Sequence, residues 1–346
     1  MEFAIEIKQL TKVYEGKVNA LDGVDLSVKA AGIFALLGPN GSGKTTLMRV
    51  LTTQFRPTSG IARAFGYDVV SDDANVRRII GYVPQEMSVW TDITGFENLL
   101  IYSKIYGVPS QIRKKNIADA LQSMGLDDVA EKTVKKYSGG MIRRLEIACA
   151  LLVKPRILFL DEPTLGLDPS ARKAVWENLM SFKREYGTTV FFNTHYMDEA
   201  DQYSDEVAII NKGKIVKSGT ASELKHSLHS EIISLRLAGC KAGCASTPSN
   251  ADDAILGRQF EILEKIKALR WVLDASLHDS RLELSVEDGE VALPAIMDAL
   301  NEECVAVKRV EMKKPTLDDV FLKYAGMRPQ KEMNRDNGSK RPIKTN

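Results

Sequence analysis

GIFALLGPNGSGKT, residues 32–45, is the stretch on which the fold turns. Its first half is a compact apolar run suited to a buried strand, and the helical pattern resumes from Lys44 to about Thr52. Between them GPNGSGKT, residues 38–45, matches the pattern GxxxxGK[ST] in the strand–turn–helix setting that its mechanism requires. Gly38, Gly41 and Gly43 let the backbone curl so that successive N–H groups face phosphate oxygens, and the helix N-terminus adds a favourable field. Lys44 is then placed to span β- and γ-phosphates, with the Thr45 hydroxyl on Mg²⁺.

A nucleoside triphosphate site also needs a second metal contact and a group that activates water. ILFLDE, residues 157–162, ends a buried strand in two carboxylates: Asp161 to hold Mg²⁺ directly or through water, and Glu162 as candidate general base. TVFFN, residues 189–193, runs into Thr194-His195 at the same relative position, so His195 reaches the γ-phosphate if the two strands are neighbours. Gln85, in the turn GYVPQE, could reach metal or water. YSGGMIRRLEIACALL, residues 137–152, puts Ser-Gly-Gly at the front of a helix, where bare N–H groups suit an anion; taken alone it reads more readily as a plain turn.

Around these stretches, residues 4–28 alternate as short antiparallel strands, and residues 93–131 are helical, with Thr94 and Glu97 spaced as a capping box. Ile157–Leu160 and Thr189–Asn193 are buried strands separated by a helix near 172–186, which implies a largely parallel sheet covered on both faces. EVAIINKGKIVKSG reads as a hairpin turning at Lys212-Gly213. Beyond residue 228 strands at 231–237, 269–277, 281–286 and 304–312 alternate with helices near 258–268 and 291–302, the order of a split βαβ domain. The small-residue loop 238–253 lies within it. A last capped helix, 316–325, is expected to pack Leu317, Val320, Phe321 and Tyr324 on that small domain. Residues 327–346 carry six basic and two acidic groups with little apolar content, which predicts a disordered basic tail.

Lys plus Arg number 47 against 46 Asp plus Glu, so overall charge argues for neither nucleic acid nor anionic lipid as partner. MEFAIEIKQL lacks the basic and apolar regions of a secretory signal, and no apolar run reaches the roughly 18 residues of a membrane span. Four scattered cysteines fit a reducing compartment; Cys240 and Cys244 have no His or further Cys nearby to complete a metal site.

Together these motifs resemble the ATP-binding cassette (ABC) family over residues 2–226: GPNGSGKT its Walker A loop, Gln85 its Q-loop glutamine, YSGGM its signature, ILFLDE its Walker B strand, GLDP at 166–169 its D-loop and His195 its switch histidine. The resemblance implies an α/β P-loop NTPase cassette with a mixed sheet core, an antiparallel β subdomain and a helical subdomain near 90–150, spanning 1–228, then a small α+β domain at 229–326. It implies ATP against Gly38, Pro39, Asn40, Gly41, Ser42, Gly43, Lys44, Thr45 and Thr46, with Tyr14 stacked on adenine. Mg²⁺ would sit at Thr45, Gln85 and Asp161, and Glu162, His195 and Gln85 would serve hydrolysis. Two cassettes would pair head to tail, so that Ser138, Gly139, Gly140 and Asp168 complete the partner's site.

The usual signature LSGGQ here has Tyr137 and Met141 at its ends, followed by Arg143, Arg144 and LEIA, which resembles the daunorubicin-resistance-type subunits of multidrug exporters; PTLDDVFLKYAG, residues 315–326, resembles the terminal motif of that group. The implied function is an ATPase subunit on the cytoplasmic side of the cell membrane, driving polytopic permease subunits that export drugs, lipids or other hydrophobic compounds. The alternatives are a soluble cassette ATPase, an importer subunit and a non-catalytic sensor. The single cassette without a coiled-coil insertion argues against the first, YSGGM and the terminal motif against the second, and Glu162 with His195 against the third.

Overall fold

In the computed structural model the described residues are 2–16, 18–228, 231–240, 262–278, 281–303 and 305–325. The chain opens with β1 (Phe3–Tyr14) and β2 (Val18–Lys29), then β3 (Ile33–Leu37), α1 (Lys44–Leu51), β4 (Ser59–Ala64), β5 (Tyr67–Asp68), α2 (Asp73–Ile79) and β6 (Ile80–Val83). Helices α3 (Gly95–Ile105), α4 (Ser110–Ser123) and α5 (Gly139–Leu151) follow, and then β7 (Ile157–Asp161), α6 (Pro169–Tyr186), β8 (Thr189–Thr194) and α7 (Met197–Tyr203). A hairpin of β9 (Glu206–Asn211) and β10 (Lys214–Gly219) leads to α8 (Ala221–His226). The rest is β11 (Glu231–Cys240), a helix over 262–267 (α9), β12 (Val272–His278), β13 (Arg281–Val286), α10 (Gly289–Glu302), β14 (Val305–Lys313) and α11 (Leu317–Ala325).

The central sheet has the order β10-β9-β3-β8-β7-β6, parallel except for β10. Every residue of β3 is buried because its two faces serve two cores. Ile33, Ala35 and Leu37 join the helices α3–α7, whereas Phe34 and Leu36 join α1 and the antiparallel sheet β2-β1-β4-β5. The same alternation puts Ile157 and Phe159 of β7, and so Asp161, on the face that carries α1. A polar side chain at this strand end thus meets the loop without disturbing either core.

The N-terminal strands are long rather than short: β1 and β2 have 12 residues each, bent by register shifts, and β1 also pairs with β4, which the alternation of residues 4–28 did not reveal. The helical stretch at 93–131 is two helices broken at Gly107–Pro109, with the Thr94–Glu97 capping box formed. Lys212 and Gly213 both take positive φ, as a tight hairpin demands.

The third sheet runs β12-β13-β11-β14, antiparallel, over a core from β11, α9, β13 and α10. Helix α11 does not join that core. Leu317, Val320, Phe321 and Ala325 pack into the large core of the cassette, against α7, α8 and β9. This corrects the expectation of a helix seated on the small domain: its apolar stripe finds the uncovered side of the central sheet instead. Cys244, most of loop 238–253 and residues 327–346 lie outside the described residues.

Candidate functional site

The loop after β3 is shaped by close approaches. Gly43 has φ 110°, and a Cβ there would stand 2.4 Å from the Ala20 carbonyl oxygen; at Gly38 it would stand 2.4 Å from Ser42 Oγ and 2.5 Å from the Ile210 carbonyl oxygen. Only glycine fits a backbone wedged between β2 and the β9–β10 hairpin. The Gly213 amide donates to the Ser42 carbonyl at 2.9 Å and ties the loop to that hairpin.

This loop forms one wall of a cleft of about 670 Å³. Residues 38–46 line it with Tyr14, Gln85, Glu162 and His195. β8 lies between β3 and β7, so the adjacency required of His195 is met: Asp161 pairs in register with Asn193, and Leu37 with Thr194. His195 Nδ1 sits 2.8 Å from Glu162 Oε2. That carboxylate raises the histidine pKa above its ordinary value. The Glu162 amide donates to both the side-chain oxygen (2.8 Å) and the carbonyl (3.2 Å) of Asn193, which holds Glu162 at φ 50°.

Lys44 is 7% exposed, and burial lowers its pKa against the opposing pull of Glu162 and Asp161. Its ammonium donates to the carbonyls of Gly38 (2.7 Å) and Pro39 (3.3 Å). Burial also raises the Asp161 pKa. Asp161 Oδ1 and Ser42 Oγ are buried with no hydrogen-bond partner among the described residues. A buried anion, a desolvated cation and orphaned oxygens around a curled loop fit a phosphate with a hard cation. No group of three or more His, Cys, Asp or Glu that could hold a metal occurs among the described residues.

Tyr14, 36% exposed, stands at the mouth with its hydroxyl 3.3 Å from Thr46 Oγ1 and its ring edge-on to Phe55. Gln85 is exposed at the rim. Ser138, Gly139, Gly140 and Asp168 do not line the cleft. Ser138 caps α5 by accepting from the Met141 amide at 3.3 Å, and Gly140 presses α5 on α6, where a Cβ would be 2.8 Å from Ala171 Cβ. Asp168 caps α6, accepting from the Ser170 and Ala171 amides.

Sequence reasoning missed Asn193, which holds the Glu162 amide and whose only sign is a polar residue closing an apolar strand, and it missed Leu165, Met197 and Phe321, which line the cleft. Phe321 arrives from α11, more than a hundred residues away in sequence from any other lining residue.

Comparisons with known proteins agree with this geometry. Residues 21–165 match the family described as ABC transporter, and residues 219–325 match the DrrA1-3-like ATP-binding protein C-terminal domain. The chain is 37% identical to the daunorubicin/doxorubicin resistance ATP-binding protein DrrA of Streptomyces peucetius, over 93% of this chain and 92% of that one. It is 30% identical to the linearmycin resistance ATP-binding protein LnrL of Bacillus subtilis, over 93% and 98%. Among solved structures, cbiO1 of Clostridium perfringens, part of the transporter complex cbiONQ, superposes with a TM-score of 0.61 at 26% identity, covering 65% of this chain and 91% of that one. A cassette solved as a post-hydrolysis dimer with ADP and Pi superposes at 0.56 with 27% identity, over 62% and 98%. ATP-binding subunits of this kind dimerise and work with membrane permease subunits, and no helix among the described residues is long and apolar enough to cross a membrane. The chain belongs to the ABC transporter family, in its DrrA-like group, and is an ATP-hydrolysing nucleotide-binding subunit.

Proposed function

We propose that this subunit hydrolyses Mg²⁺-ATP in a head-to-tail homodimer on the cytoplasmic face of the cell membrane and drives polytopic permease subunits that export drugs or other hydrophobic compounds. The observation that carries the reading is the meeting of Lys44, Glu162 and His195 in one cleft while Ser138, Gly139, Gly140 and Asp168 stay outside it. An isologous dimer that brings the signature of one copy to the cleft of the other completes both sites at once.

Glu162 accepts the proton of the attacking water, and His195, with Nδ1 2.8 Å from Glu162 Oε2, fixes the direction of that carboxylate. Lys44 exchanges two neutral carbonyl partners for phosphate oxygens, which concentrates its charge where it is needed. Tyr14 offers its ring to adenine. Thr45, Asp161 and Gln85 would hold Mg²⁺, which neutralises phosphate charge when bound. Close to Gln85 in sequence Met87 and Trp90 are exposed, and Trp90 is linked through the Tyr102 ring to the exposed Tyr106, apolar groups suited to a membrane partner; the drug-resistance names of the relatives support export.

Ser138→Arg should leave nucleotide binding by the monomer within about twofold of wild type while abolishing ATP-induced dimerisation, because the defect lies in the partner's site. Light scattering with a fluorescent nucleotide titration reads both quantities. A Ser138→Arg protein that still dimerises on ATP would falsify the arrangement in trans.

A further inference from the structure

We infer that the buried Arg143–Glu146 pair is a positioning unit that ties helix α5 to the turn bearing Glu162 and to the turn bearing Gln85, and so couples the signature of each cassette to its own hydrolytic group. The inference rests on Glu162 being the base.

Arg143 stands one turn into α5 with its side chain 9% exposed. Its guanidinium meets five acceptors. Nε donates to the Pro163 carbonyl at 2.9 Å, and Nη2 donates to the carbonyls of Asp161 (2.8 Å) and Glu162 (3.2 Å). Nη1 donates to the Pro84 carbonyl at 2.7 Å and to Glu146 Oε2 at 2.9 Å. Three consecutive carbonyls around Glu162 are therefore held by one side chain. Glu146 uses its other oxygen on the Ser88 amide (2.6 Å) and hydroxyl (3.2 Å). The turn from Pro84 to Ser88 is thereby pinned at both ends, while the Gln85 side chain between them stays exposed in the cleft wall.

Packing alone does not call for this arrangement. A buried ion pair that only fills space is replaceable by apolar side chains of similar volume. Here four of the five acceptors of Arg143 are backbone oxygens of two separate segments, each carrying a group of the hydrolytic site. Glu162 also holds a left-handed backbone (φ 50°), a conformation that persists only where its surroundings enforce it. Neither Arg143 nor Glu146 lines the cleft, so neither touches substrate. Because α5 begins at Gly139, beside the residues proposed to meet the partner's nucleotide, a shift of α5 reaches Glu162 through one rigid, planar side chain.

The test uses the full chain. Arg143→Lys keeps the charge but cannot span five acceptors, and Glu146→Gln keeps an acceptor for Ser88 but loses the ion pair. Each should lower kcat about tenfold or more and leave KM for ATP within about twofold, with any cooperativity in ATP reduced. The double variant Arg143→Met/Glu146→Leu fills the same space but leaves the backbone partners of both side chains unpaired, so it should melt below wild type and, assayed well below its melting temperature, hydrolyse slowly. Wild-type kcat in Arg143→Lys, or in the folded double variant, overturns the proposal, as does a rise in KM together with a fall in melting temperature without a selective loss of kcat. Glu162→Gln is assayed alongside: if it hydrolyses at the wild-type rate, the assignment of the base has failed, whatever the Arg143 variants do.

Discussion

Glu162 combines a carboxylate, a left-handed backbone and a histidine partner 2.8 Å away. The pairing makes a titration prediction. His195 has its pKa raised above 6.5, chiefly by its hydrogen bond to the Glu162 carboxylate. The stability this contributes is fully present below the unfolded-state value near 6.5 and is lost as pH rises through the raised folded value. In Glu162→Gln the pKa of His195 should fall, which an NMR titration of its ring protons measures; an unchanged value would show that Glu162 is not the cause. Lys44→Ala should abolish hydrolysis, since the loop loses the only Lys or Arg side chain among the cleft-lining residues, and a phosphate-release assay reads it. At this scale most of the site was legible, because GPNGSGKT and ILFLDE each carry their chemistry in consecutive residues. Asn193 was not, because its part depends on lying across from Asp161 in a neighbouring strand.

Among the elements, α11 shows how far local pattern reaches. Leu317, Val320 and Phe321 mark one helical face, and Thr316 with Asp319 caps it reciprocally, the Thr316 amide donating to Asp319 Oδ2 at 2.9 Å. Both were readable, whereas the surface that receives the face was not: periodicity states that a stripe must be covered, never by what. Phe321 is 3% exposed and lines the cleft near Met197. Phe321→Ala should therefore destabilise the fold by about 3–5 kcal/mol and also weaken nucleotide binding. Chemical denaturation and a binding titration test the two effects, and a fully stable variant would remove α11 from the cassette core. At α5, Ser138→Ala should cost about 1 kcal/mol through the lost cap, far less than the functional loss expected of Ser138→Arg.

For the whole molecule, the cleft holds one half of the proposed machinery, while Ser138 and Gly139 at the head of α5 and Asp168 at the head of α6 are exposed outside it. Glu162→Gln protein, unable to hydrolyse, should accumulate as an ATP-locked dimer that ADP does not support; size-exclusion chromatography with light scattering checks it, and a monomer at saturating ATP would contradict it. By itself the sequence determined the phosphate loop, the carboxylate pair, the two-sided burial of the central strands and the family, because each is written in short-range order: period, glycine placement, polar residues ending apolar runs. Only the tertiary structure decided that β8 separates β3 from β7, that α11 closes the cassette rather than its own domain, and that Arg143 bonds three carbonyls around Glu162. Those facts depend on strand order and on which apolar surfaces meet, and both are settled by burial summed over the folded chain rather than by any local pattern.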